Sequence, residues 1–254
     1  MRNALKDNNL FLESLSRESR SALLRLCVEV DLPLRKVLYE PGIVPPYAYF
    51  MTSGIASVVT CMEDCATAEV GLIGREGLVG SFHLLGPAPV STNSMVQLTG
   101  TALRMPYPEL LAAYRSNEEI RDRILEFVQD QAVSVSQLAG CNRLHENEER
   151  LARWLLMAQD RTQSDVLFFT QEFLAMMIGA RRSTVTVIAG ALQRSGLIEY
   201  ERGRVKVLNR TNLEAAACNC YQITKNLYAG LYSKPAPGMG QQSQGSQEGS
   251  NQEH

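Results

Sequence analysis

The chain has 254 residues, 45% of them hydrophobic and 20% charged, enough to bury a sizeable core in one large domain or two of ordinary size, which excludes disorder of the whole chain. Uninterrupted apolar runs, such as Leu155 to Ala158, are only a few residues long, against the roughly 20 that a membrane-crossing helix needs, so no membrane association is expected. The net charge of −2 is unevenly spread: residues 1–139 carry 12 Lys/Arg against 16 Asp/Glu, whereas residues 181–210 carry seven against two. A basic module after an acidic one suits a nucleic-acid partner, although a solvated arginine-rich surface accounts for the charge equally.

The opening residues MRNALKDNNL carry charge where a secretory signal needs an apolar stretch, so the chain is expected to stay in the cytoplasm with its six cysteines reduced. Residues 10–30 place Leu12, Leu15, Leu23, Leu24 and Leu26 at a rough helical spacing, which predicts short opening helices. The pattern then changes. From Val37 to Met105 the apolar segments are short: Val37–Tyr39, Tyr47–Met51, Ala56–Cys61, Ala68–Ile73, Met95–Leu98 and Ala102–Met105, punctuated by Gly or Pro. Many short strands separated by turn signals predict a barrel or sandwich.

Ser116 to Ala139 contains no Gly or Pro, and Ile120, Ile124, Phe127, Gln131, Val135 and Leu138 fall on alternating steps of four and three. That spacing predicts one long helix with a single seam, which either covers the barrel or pairs with a second copy. A second helix is expected from about Glu146 to Ala158, with Leu151, Trp154, Leu155 and Met157 inward. The last 21 residues hold five Gln, four Gly and three Ser but no Leu, Ile, Val or Phe, so residues 234–254 are expected to be a disordered tail.

The window Gln171 to Arg194, QEFLAMMIGARRSTVTVIAGALQR, fits a helix-turn-helix position by position. Leu174 and Ile178 face the core of the first helix, Ala175 is small at the crossing, and Gly179 stands at a turn where a residue without Cβ is favoured. Val185, Ile188 and Leu192 supply the buried stripe of the second helix, which turns Arg182, Ser183, Thr186 and Gln193 outward. Arg182 can donate two bonds to the edge of guanine, and Ser183 and Thr186 are short enough to reach bases or phosphates. Arg181 is better placed for a phosphate, and Thr170 and Gln171 open the first helix, whose exposed N–H groups form a phosphate seat. Downstream, Gly196–Tyr200 and Val205–Leu208 flank Glu201-Arg202-Gly203-Arg204, a β-hairpin whose Arg202 and Arg204 would lie against phosphates as a wing.

A punctuated barrel, a long seam helix and a winged helix-turn-helix, in this order, resemble the Crp/Fnr family of bacterial transcription regulators over roughly residues 10–230. The likeness is most specific at TQEFLAMMIGARRSTVTVIAGALQRSGLIEYERGRV, and NRLHENEERLARWLLMAQDR, EVGLIGREGLVG and ACNCY resemble a subgroup. The resemblance implies an α+β fold: an N-terminal double-stranded β-helix, a cyclic-nucleotide-binding-like jelly roll, over residues 1–115; a dimerisation helix over 116–140; and a winged helix-turn-helix over 141–233. It implies a homodimer joined along the seam, a palindromic double-stranded DNA operator and contact with RNA polymerase. Members that bind cyclic AMP carry a cassette resembling G-E-L and later R-S-A, where this chain has Gly80-Ser81-Phe82 and Val90-Ser91-Thr92. With the acid and the arginine missing, a buried phosphate would lack its cationic partner. Gly80, Ser81, Ser91 and Thr92 thus mark a possible pocket for an unknown small-molecule effector other than cyclic AMP, or for none. The alternative is a small-ligand sensing module acting through protein contacts.

Cys61-x3-Cys65 and Cys218-x-Cys220 are short pairs without zinc-ribbon spacing, Cys27 and Cys141 stand alone, and His83 and His145 are isolated in sequence. These are expected to be ordinary structural residues, with no metal and no cofactor. No nucleophile elbow, P-loop, metalloprotease signature or His–carboxylate pair is present, so an enzyme is not expected.

Overall fold

The computed structural model describes residues 8–61 and 67–233; the tail expected over 234–254 and Cys65 lie outside them. Two short helices, α1 (Leu10–Glu13) and α2 (Arg17–Leu24), precede eight strands: β1 (Val28–Leu32), β2 (Val37–Tyr39), β3 (Tyr47–Met51), β4 (Ile55–Cys61), β5 (Thr67–Ile73), β6 (Leu78–Val79), β7 (Asn93–Leu98) and β8 (Gly100–Pro106). They form two four-stranded antiparallel sheets, ordered β1-β8-β3-β6 and β2-β7-β4-β5. The apolar segments of the sequence recur as β2, β3, β4, β5, β7 and β8. The short opening helices expected from the leucine spacing are α1 and α2; the segment after them, VEVDL, pairs along β8 from Val28↔Arg104 to Leu32↔Gly100, a strand that the sequence reading does not single out.

Strand β3 shows how the barrel acquires two cores. Tyr49 and Met51 point between the sheets to meet Val58, Ile73 and Val96, while Ala48 and Phe50 face the opposite layer with Phe11, Leu12 and Leu103. The period of two along the strand assigns each residue its side.

After α3 (Tyr107–Ser116) the long helix α4 runs from Glu118 to Leu144 and α5 from Asn147 to Thr162. Asn117 caps α4 by accepting from the Ile120 N–H at 3.0 Å. Phe127 of α4 lies against Gly77, where a Cβ would stand 2.2 Å from its ring; only glycine admits so close an approach. Beyond α5 come β9 (Val166–Phe168), α6 (Gln171–Ile178), α7 (Arg182–Arg194), β10 (Ile198–Glu201), β11 (Arg204–Val207), α8 (Arg210–Ala216) and α9 (Cys220–Gly230). No described helix is long and apolar enough to cross a membrane.

Helix α5 joins the two halves. Its Leu151, Trp154 and Leu155 share one core with Ile55, Leu72 and Leu98 of the barrel and with Leu174, Val185 and Leu192 beyond it. Met157 is partly buried at its edge. The Trp154 Nε1–H donates to Glu69 at 2.8 Å, and Arg161 forms a buried ion pair with Glu76 at 2.8 Å. Burial pushes the Glu69 carboxyl up to about 7, against hydrogen bonds from Ser57 and Trp154 and the charges of Arg153 and Arg161.

Candidate nucleic-acid interface

Thr170 ends an extended segment and caps α6, its side chain accepting from the Phe173 N–H at 3.2 Å. The helix closes at Gly179, whose φ of 60° is the left-handed turn its lack of a side chain permits. Buried Arg150 of α5 donates to the carbonyl of Ile178, the last residue of α6, and to Asn147 at 3.1 Å. This turn support is invisible in sequence, because Arg150 and Ile178 meet only once α5 packs beneath α6.

Helix α7 buries Val185, Ile188 and Leu192 and leaves Arg181, Arg182, Ser183, Thr186 and Gln193 exposed. The Arg182 Nε–H pairs with Glu172 at 2.8 Å, and the guanidinium remains 66% exposed. Thr186 donates to Gln171 at 2.7 Å, which locks the start of α6 onto α7 and leaves the hydroxyl oxygen to accept rather than donate. Gln193 accepts from the Tyr200 N–H at 2.9 Å, tying α7 to the hairpin. Arg181, the N-cap of α7, brings no side-chain cap to its first N–H groups.

The hairpin β10–β11 turns at Arg202 and Gly203, with φ of 50° and 79°, a two-residue turn with both residues left-handed. Arg202 is exposed beside Glu201, and Arg204 pairs across the strands with Glu199 at 3.6 Å. Strand β9 pairs with β11 to complete a three-stranded sheet. Thr170, Gln171, Glu172, Arg182, Tyr200 and Arg202 line one concavity of about 290 Å³, which Arg181 and Arg204 do not line.

The seam divides. Ile120, Ile124, Phe127 and Gln131 are at most 3% exposed, sealed under the chain's own barrel. The expectation that they meet a second copy is therefore corrected, since they present no surface to one. Of the predicted seam, Val135 is exposed and Leu138 half-buried. The open face of α4 instead includes Leu125, Gln129, Ala132, Ser136 and Ala139, again on alternating steps of four and three, with Gly140 next to Ala139.

A second cavity of about 630 Å³ lies between β4, β5, the 85–92 loop and α4, lined by Val58, Val70, Phe82, Val90 and Val135 with Ser91, Thr92 and Gln131 as its polar edge. Ser91 and Thr92 are among its lining residues. Gly80 and Ser81 do not line it: Ser81 is 1% exposed, and Phe82 takes the wall instead. No charged side chain is among the described residues lining this cavity, and Arg104 is stacked on Tyr47 at 4.3 Å.

His83 packs edge-on against the rings of Tyr39 and Tyr107. His145 is not isolated, a correction to the sequence reading: the fold brings it to Cys141, Cys218 and Cys220. Cys141 and His145, and Cys218 and Cys220, are each close in sequence, but that the two pairs meet is visible only in the fold.

Residues 149–216 match the family model of the Crp-like helix-turn-helix domain. Among solved structures, the chain is similar to the c-di-GMP responsive global regulator CLP of Xanthomonas campestris, at 16% identity and a TM-score of 0.62 over 76% of this chain and 100% of that one. FixK2 of Bradyrhizobium japonicum aligns at 13% identity and a TM-score of 0.64, over 76% and 98%. A CRP/FNR family transcriptional regulator of Thermus thermophilus, TTHA1359, aligns at 21% and 0.59, over 75% and 98%. A comparison with curated protein sequences finds no match. With a two-sheet barrel, a long helix and this C-terminal unit in one chain, the protein carries a Crp-like helix-turn-helix domain within the fold of the Crp/Fnr transcription regulators.

Proposed function

We propose that the protein is a cytoplasmic regulator that binds a palindromic DNA operator as a homodimer and acts on RNA polymerase. In this reading residues 1–115 form the sensory barrel, 116–140 the dimer helix and 141–233 the DNA-binding unit. The observation that supports it is the concavity that Arg182 of α7 and Arg202 of the hairpin line together with Thr170 and Gln171, with Arg181, Ser183 and Thr186 exposed at the start of α7. Arg182 and Ser183 read bases, Thr186 accepts from one, and Thr170, Gln171, Arg181, Arg202 and Arg204 hold phosphates.

The test is duplex binding measured at several salt concentrations, on sites recovered by genome-wide mapping and on random sequence. Arg182→Ala is expected to cost about 1–3 kcal/mol on the operator and to relax preference at one base pair per half-site. Arg204→Ala should weaken every sequence alike and flatten the salt dependence. If Arg182→Ala bound both duplexes as the parent does, the register given to α7 would be wrong. A protein acting through protein contacts alone would show no salt-dependent DNA affinity at all.

The barrel's effector, where one acts, is an apolar small molecule, since the cavity walls offer hydroxyls and an amide but no charge for a phosphate. Cyclic AMP should change neither the melting temperature nor DNA affinity. A ligand of the folded state at a hundredfold excess over its Kd would add about 2.7 kcal/mol, easily seen. A clear thermal shift with cyclic AMP would overturn this assignment.

A further inference from the structure

We propose that Cys141, His145, Cys218 and Cys220 form a mononuclear site for a zinc-type divalent cation, held by three thiolates and one imidazole. Cys141 stands in the last turn of α4 and His145 is the residue that ends that helix. Cys218 follows α8, and Cys220 opens α9 one residue past its cap, Asn219. Two short pairs, far apart in sequence, thus meet at one point, and their four ligand atoms lie within 4.8 Å of one another.

The distances fit a tetrahedron. A metal–sulfur bond of about 2.3 Å places tetrahedral ligand atoms about 3.8 Å apart. Here the sulfurs of Cys141 and Cys218 are 3.5 Å apart, and the Cys220 sulfur is 3.4 Å from His145 Nδ1. An iron–sulfur cluster is a poorer fit, because several irons would push the ligand atoms farther apart than this cage allows. Gln137 donates to the Cys220 sulfur at 3.0 Å, the kind of outer contact that orients a ligating thiolate.

A second observation is the buried charge beside the cage. Arg153 is 2% exposed, and its Nε and one terminal nitrogen have no hydrogen-bond partner. Its charge acts on Cys141, Cys218 and Glu69, and its remaining contact is the Met157 sulfur at 3.1 Å. A buried guanidinium beside neutral thiols would be poorly compensated. On binding a divalent ion, three thiols release their protons to solvent and the imidazole binds neutral, so the filled site carries one net negative charge against Arg153. The ion would also fix the exit of α4 relative to the α8–α9 junction. The site stands independently of any DNA reading.

The experiment is elemental analysis of the full-length protein purified without chelator, followed by cobalt(II) titration of the metal-stripped protein. Zinc is expected at one equivalent per chain. Cobalt should give the intense visible and near-ultraviolet bands of tetrahedral thiolate coordination, displaced by zinc. Cys141→Ser and Cys220→Ser should lose both signals, Cys61→Ser should keep them, and stripping the parent should lower its melting temperature. Substoichiometric metal with a weak octahedral cobalt spectrum would overturn the proposal. So would labile sulfide with a brown chromophore, or a Cys141–Cys218 disulfide found by mass after purification under reducing conditions. The cobalt spectrum is read on the parent chain, so a variant that fails to fold does not remove the test.

Discussion

Glu69 is expected to withdraw about 3 kcal/mol of folding stability as pH rises from 4.5 to about 7, and this part of the slope should vanish in Glu69→Gln. Burial raises this carboxyl from its ordinary 4.5 to about 7, so across that interval the native state holds a proton that the unfolded chain has released. Stability contributed by the protonated form is complete below 4.5 and lost on passing through the folded value. Asp130, raised by burial to about 6, adds in the same direction. Burial lowers His83, so its contribution is lost as pH falls and opposes the others. The decisive quantity is therefore the difference between parent and Glu69→Gln in denaturant midpoints from pH 4.5 to 8. Glutamine can still accept from Trp154 and can donate to Ser57, so the joint between β5 and α5 survives. Parallel curves for parent and variant would show that Glu69 is ionised in both states or in neither.

What the sequence disclosed, and what it hid, follows from how local each signal is. The six punctuated apolar segments became strands because alternation and turn residues act within a few positions, and the helix-turn-helix was legible because Gly179 and the stripe Val185, Ile188, Leu192 lie within one window. Strand β1 was not singled out because its conformation is set by β8, some seventy residues later. The spacing of Ile120, Ile124 and Phe127 identified a seam but not its partner, since an apolar stripe has the same period whether it meets a barrel or a twin. The Gln171–Thr186 contact, the Arg150 brace and the meeting of the Cys141–His145 and Cys218–Cys220 pairs were hidden for the same reason: each joins segments whose proximity is a property of the fold alone.

Introducing Leu125→Glu with Ala139→Glu is expected to convert the protein to a monomer and to weaken binding to a two-half-site operator by about 10²–10⁴-fold, while a single half-site is bound nearly as before. Both positions lie on the open face of α4, two heptads apart and outside the barrel core, so the charges cost the monomer little. A palindromic operator needs two copies related by a two-fold axis, with their α4 helices side by side. Each glutamate would then meet its own copy, burying like charges at close range. The small residues Ala132, Ser136, Ala139 and Gly140 favour such an approach, as they let two helix backbones come close. Ile124→Glu separates this face from the buried seam: at 0% exposure, a charge there should unfold the barrel rather than release a partner. Sedimentation of parent and variants at micromolar concentration, with and without operator, decides the matter. A parent that is monomeric in both conditions would remove the dimer, and a double variant that stays dimeric would move the interface off this face of α4.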